Sequence, residues 1–256
     1  MRLMQTLDEI LDSLEFDAAD PVKVIRIADG REVVIVQPNP FTVSRIYVSG
    51  RPDGKKPHGR NSYYDYFQGQ IEDYQREHGD DEGFQLTPED WRAMFDESYD
   101  RYTRYLLFAG IKRWDDVKRD TDTNIVVTDM AKKYAPPDIA WQSYQYKGYM
   151  LMMNSIAAAE LSLMAGSREE ALSQVNLGIQ RIGQFCGECL REDYGEPENL
   201  TRERYLSNLI EFRSDLELVE EGLEGTRHGW EEEDENEDNL DILDELEELL
   251  RDRDEA

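Results

Sequence analysis

Two rhythms of apolar residues divide this chain. Leu3, Leu7, Ile10 and Leu14 are spaced 4, 3 and 4, which predicts a short amphipathic helix at the start. After Asp20-Pro21 the period becomes two. The runs Val22 to Ile27, Val33 to Val36 and Phe41 to Val48 are separated by Asp29-Gly30 and by Pro38-Asn39-Pro40. Asp-Gly between β-branched runs is a hairpin signal because both residues tolerate positive φ. A three-stranded antiparallel meander follows, and it needs a cover from the first helix or from the helices beyond it.

From residue 61 onward the period is helical. Ser62 with Asp65 three residues on opens a helix carrying Tyr63, Phe67, Gln70 and Tyr74, and His78-Gly79 closes it. Thr87-Pro88-Glu89-Asp90 supplies an N-cap, a proline at the first helical position and an early acidic pair. Trp91, Phe95, Ser98, Tyr102, Tyr105 and Ala109 then recur at 4, 3, 4, 3 and 4, up to a turn at Gly110. Trp114, Val117, Thr121, Asn124 and Thr128 form a more polar stripe that ends at Pro136-Pro137. The central stretch, Trp141 to Arg191, reads as two helices folded back on each other. The first is apolar nearly all round and stops at Ala165-Gly166. The second opens with Ser167 and Glu170 and carries Leu172, Val175, Ile179, Ile182, Cys186 and Cys189. A last helix holds Tyr205, Leu209, Phe212, Leu216, Val219 and Leu223.

Tyr105–Ile125 and Glu160–Ile179 share a plan: an apolar helix end, an Ala-Gly turn, a basic residue, an acidic pair, and an inward Val117 or Ala171. Matching those two positions gives an offset of 54, with one extra residue assigned to the first turn. The second copy resembles the turn and second helix of a tetratricopeptide repeat. The expected fold is α+β, predominantly α. Its parts are an N-terminal helix and β-meander with a basic loop (1–60), tetratricopeptide-like antiparallel helical hairpins (61–224) and an acidic tail (225–256).

Charge changes this picture most at its end. The net charge is −28, and residues 231–256 hold 15 acidic against 2 basic side chains. Blocks of like charge stay solvated, and so acidic a surface repels phosphate backbones, so no nucleic-acid partner is expected. The most apolar run, Tyr149 to Ala165, is broken by Asn154, Ser155 and Glu160, which argues against a membrane span. Two cysteines and no charged-then-apolar leader point to the cytoplasm.

Chemistry has few footholds. Gly50 to Arg60 is a Gly- and Pro-rich loop that concentrates Arg51, Lys55, Lys56, His58 and Arg60, a candidate site for a small anion or for the acidic tail. Cys186 and Cys189 fit C-x-x-C, yet both continue an apolar stripe, and two thiolates are half a structural zinc site, so core packing is the expected role and metal binding the alternative. Tyr63, Tyr64, Tyr66 and Phe67 suggest a stacking platform, with helix packing the commoner explanation. No His, Ser and Asp constellation forms on regular elements, so no catalytic residue and no cofactor is expected.

GRPDGKKPHGRNSYYDY, EHGDDEGFQLTPED and RDTDTNIVVTDMAKKYA resemble an uncharacterised bacterial, planctomycete-type family of UVR-motif proteins, over roughly residues 7–216. The resemblance carries over no catalytic residue. The UVR motif, a small helical hairpin for protein association, is degenerate or absent here, since LDELEELLRDRDE lacks its alanines. The function expected is a non-enzymatic interaction or scaffold protein. Its partner segment would enter the groove between the hairpins at Gly110 and Gly166, and its tail would attract a basic protein. Thiol or metal chemistry at Cys186 and Cys189 is the alternative, and an acidic mimic of nucleic acid the weaker one.

Overall fold

The computed structural model describes residues 13–14, 16, 21–39, 42–192 and 195–220. The expected helix through Leu3, Leu7 and Ile10, the end of the last helix at Leu223 and the acidic segment 225–256 lie outside the described residues. The architecture is α+β and predominantly α. Strands β1 (Val22–Arg26), β2 (Glu32–Asn39) and β3 (Thr42–Tyr47) pair antiparallel in the order β1-β2-β3.

Two details of the sheet differ from the expected hairpins. In the β1–β2 turn Gly30 alone is left-handed, with φ 88°. Ile27 N–H donates to the Arg31 carbonyl at 2.9 Å, so Ala28-Asp29-Gly30 is a three-residue loop and not a two-residue turn with both φ positive. The Asp29 carboxylate accepts from Arg31 N–H at 3.0 Å, which holds it. Between β2 and β3 the pairing steps from Val36↔Ser44 to Asn39↔Thr42, one extra residue on β2. That bulge falls at Pro38, which has no N–H to give the ladder.

Both faces of β2 are buried, and this explains its unbroken apolar run. Val34 and Val36 join Val48, Tyr105, Leu106 and Phe108 in the main core, whereas Val33, Ile35 and Tyr47 pack with Leu14 and Phe16 on the far side. The sheet and the helices therefore share one core.

Helix α1 (Tyr63–His78) is capped by Ser62, whose hydroxyl accepts from Asp65 N–H, and stops at left-handed Gly79. Helix α2 (Pro88–Gly110) begins with a complete capping box between Thr87 and Asp90, and α3 (Trp114–Tyr134) returns beside it. Phe67 and Ile71 of α1 pack with Trp91 and Met94 of α2 and Val127 and Met130 of α3 in a second core. Helix α4 (Pro137–Tyr144) follows, then α5 (Lys147–Met164) and α6 (Arg168–Arg191). The long first helix expected from Trp141 is thus two helices. Tyr146 N–H turns back to the Ser143 carbonyl at 3.1 Å, a tighter bond than the α-helical one, and the chain bends there.

The two hairpin turns are the same motif, but not in the alignment the Ala-Gly pairs suggest. In the second, Gly166 is left-handed, Gly166 N–H donates to the Leu163 carbonyl and Ser167 N–H to the Ser162 carbonyl. In the first, the left-handed residue is Lys112, φ 56°, with Lys112 N–H on the Ala109 carbonyl and Arg113 N–H on the Phe108 carbonyl. Lys112 and Gly166 stand 54 apart, as do Val117 and Ala171, both fully buried. No extra residue separates the copies, and Gly110 is simply the last helical residue.

Helix α7 (Gly195–Leu200) runs through a π-helical segment (Thr201–Leu206) into α8 (Ser207–Glu220). Leu209 and Leu216 face inward as their spacing predicts. The π segment is seated by a glycine: a Cβ on Gly148 of α5 would lie 2.4 Å from Thr201 Oγ1, so only glycine admits the buried threonine. Among the described residues no helix is long and apolar enough to cross a membrane.

Candidate functional site

Tyrosines recur at steps of three on α2 (Tyr99, Tyr102, Tyr105) and at the start of α5 (Tyr146, Tyr149), and the fold turns the two rows toward each other. With Phe95, Asn124, Met150 and Tyr205 of the π segment they line a cleft of about 610 Å³. Tyr102 meets Tyr105 edge-on at 5.4 Å and Tyr149 at 5.9 Å, and Tyr149 meets Tyr205 at 5.4 Å. Such T-shaped contacts hold each ring against the next. Tyr105 is buried, Tyr102, Tyr149 and Tyr205 are half-buried, and Tyr99 and Tyr146 are exposed, so the wall runs from core to solvent.

Polar residues of this cleft include Asp96, Gln142 and Arg204, and Asn124 is the one with a buried atom left unpartnered. It is 1% exposed, its Nδ2 donates to the Ser98 carbonyl at 2.8 Å, and its Oδ1 has no hydrogen-bond partner. A buried acceptor without a donor costs about 1–3 kcal/mol, a cost that a ligand N–H or O–H would remove. The faces of the rings are electron-rich and attract a cation or a planar group. The cleft is therefore equipped to bind a group with a flat or apolar body and a hydrogen-bond donor at its end.

A second polar region lies where the sheet meets the α2–α3 hairpin. Arg104, 1% exposed, grips both oxygens of Asp120 at 2.6 and 2.7 Å and donates to the Tyr47 and Gly50 carbonyls at 2.7 and 2.9 Å. Arg119 reaches the Val48 carbonyl at 2.8 Å and Asp120 at 2.9 Å, and also pairs with Asp116. Arg113 bridges Asp116 and Glu32. Glu97, fully buried, accepts from Arg51 Nη1 at 2.7 Å, from Tyr63 N–H at 2.9 Å and from Arg101. Desolvation among like charges lowers the Arg104 pKa from its ordinary value. The network ties the end of β3 and the following loop to the helices.

The five residues of the basic loop differ in how far their side chains are already engaged. Arg51 is committed: it is bidentate to Asp53 at 2.9 Å, paired with Glu97 and laid 5.0 Å over the Tyr63 ring, and the Asp53 side chain beside it holds its pKa above the ordinary value. Lys55 and Lys56 are exposed, with Lys55 Nζ 3.8 Å from Asp53. His58, left-handed at φ 49°, stacks 3.9 Å from Tyr66, and Arg60 is exposed near Gly69 of α1. Arg51 is thus a strut committed to carboxylates of its own chain, while Lys55, Lys56, His58 and Arg60 of the expected anion or tail site are exposed. Tyr63, Tyr64 and Tyr66 pack against the second core as half-buried residues.

Cys186 and Cys189 are core residues. They are 6% and 0% exposed, unpaired, and packed with Phe185, Ile182 and Leu209. Burial pushes the Cys186 thiol up and the Cys189 thiol up to about 11, the reverse of an activated thiolate.

No family model, no curated protein and no solved structure matches this chain.

The spacing of Ser98, Tyr102 and Tyr105 was legible as a buried stripe, but its chemistry was not. The signal for the cleft is the tyrosine repeat at 99, 102, 105, 146 and 149, and for the ionic network it is Glu97, Arg101 and Arg104 recurring at helical steps beside that stripe.

Proposed function

We propose that the chain is a non-enzymatic interaction protein that takes a basic segment of a partner protein into the tyrosine cleft between α2, α3, α5 and the π segment. The observation that carries the proposal is the buried Asn124 Oδ1 without a donor, in a cleft lined by six tyrosines. An arginine or lysine side chain supplies a donor for the amide oxygen and a cation for the ring faces, in a lining whose own charged residues are Asp96 and Arg204. The net charge of −28 draws such a segment in at long range. The groove expected between the two hairpins is realised in this reading by α2 and α3 on one side and α5 on the other. The cytoplasm, two reduced cysteines and the absence of a nucleic-acid partner belong to the same proposal. So does a place beside the UVR-motif proteins, supported by the three sequence stretches quoted above.

Calorimetric titration of the full chain with a short arginine- and lysine-rich peptide tests the proposal. Saturable binding is expected, weakened about tenfold by Tyr102→Ala at every salt concentration. Deleting residues 231–256 should weaken capture at low salt only. Equal binding by the wild type and Tyr102→Ala would refute the cleft as the docking site.

A further inference from the structure

A second cavity, of about 320 Å³, lies on the other side of the α2–α3 hairpin, and its lining includes Arg101, Arg104, Arg119, Asn61, Ser62 and Tyr64. Arg104 and Arg119 bring their positive charge with their N–H groups already placed on Asp120, Asp116 and the carbonyls of Tyr47, Val48 and Gly50. Arg101 is different. It is 3% exposed, one of its terminal nitrogens pairs with Glu97, and the other, Nη1, is buried with no hydrogen-bond partner.

The carboxylates around it are already engaged. Both Glu97 oxygens are taken, by Arg101 Nη2 and by Arg51 with Tyr63 N–H. Asp120 is held by Arg104 and Arg119, and Asp122 by Lys118 at 2.7 Å and Asn154 at 2.7 Å. The remaining lining acid, Asp65, is exposed to solvent. The first turn of the 16-residue helix α1 also opens here, through Asn61, Ser62 and Tyr64; Glu97 accepts from the Tyr63 amide and Ser62 from that of Asp65, which leaves the Tyr64 amide and the helix dipole to favour negative charge.

We infer that this cavity binds a small tetrahedral oxyanion, free phosphate or the phosphoryl group of a small monoester, with Arg101 Nη1 as its buried donor and the α1 N-terminus as its second pole. An oxyanion supplies the acceptor that Arg101 lacks, and its several oxygens can take the guanidinium N–H and the Tyr64 amide together. The inference is independent of the tyrosine cleft, which is built from other faces of the same helices.

The test is the melting temperature of the full chain in millimolar inorganic phosphate against chloride at equal ionic strength, with phosphoserine as a second probe to separate free phosphate from a monoester. A saturable rise in phosphate, absent in chloride, is expected, and R101M should raise the apparent dissociation constant about tenfold. Phosphorus NMR line broadening on the wild-type chain reads binding directly and does not depend on the variant folding. No broadening and no rise in melting temperature, or an unchanged rise in R101M, would overturn the site. A rise equal in phosphate and chloride means an adventitious ion only, and overturns it equally.

Discussion

The tyrosine cleft and the arginine cavity sit on the same two helices, about a third of a turn apart. Phe95, Ser98, Tyr102 and Tyr105 face one, and Arg101 and Arg104 the other, so Tyr102 and Tyr105 each have a neighbour one residue away in the opposite environment. Such neighbours differ by about 100° around a helix. Each cavity contains one buried polar atom without a partner, and the two are opposite in kind: an acceptor, Asn124 Oδ1, among aromatic rings, and a donor, Arg101 Nη1, among guanidiniums. One side is held together by ring edges; the other is held by charges, of which the Arg104–Asp120 pair is fully buried. The chain thus has a cleft suited to donors and cations and a pocket suited to acceptors and anions on one hairpin.

The largest effect that separates them is expected from the charged side. Asp120→Ala leaves Arg104 with no counter-charge at 1% exposure and should cost about 3–5 kcal/mol in urea unfolding. A loss under about 1 kcal/mol would mean that the guanidinium finds other partners or water, and the contrast would weaken. On the aromatic side, Gly148→Ala drives a methyl to within 2.4 Å of Thr201 Oγ1. We expect a cost of about 1–3 kcal/mol and a shift of the π segment that displaces Tyr205, seen as weaker peptide binding in the cleft. Retained stability with unchanged peptide binding would show that the π segment does not shape the cleft. The smallest effect is at the turn shared by both regions. Lys112→Gly removes the strain of a left-handed side chain and should stabilise the chain by about 1 kcal/mol, with neither cavity altered.

The comparison also shows where legibility ended. The helix starts at Ser62, Thr87 and Ser167 and the stop at Gly79 were readable because capping is local: a hydroxyl three residues from an amide needs nothing from the rest of the fold. The bend at Tyr146, the π segment and the left-handed Lys112 were not, because each depends on what packs against the chain from far away in sequence. Arg51 is the plainest case. In the sequence it sits in the only dense basic cluster, and the fold buries it against Glu97, 46 residues on.

By itself the sequence determined the elements and their inward faces: three strands from period two and β-branched residues, then helices whose stripes fill two cores, with both cysteines on one of them. Those features follow from backbone geometry and the aversion of apolar groups to water, which act over a few residues. Only the tertiary structure decided which polar residues were desolvated. Burial of a charge or an amide depends on the elements that close over it, and it was the packing of α2 against α3, α5 and the sheet that left Asn124 without a donor and Arg101 without an acceptor.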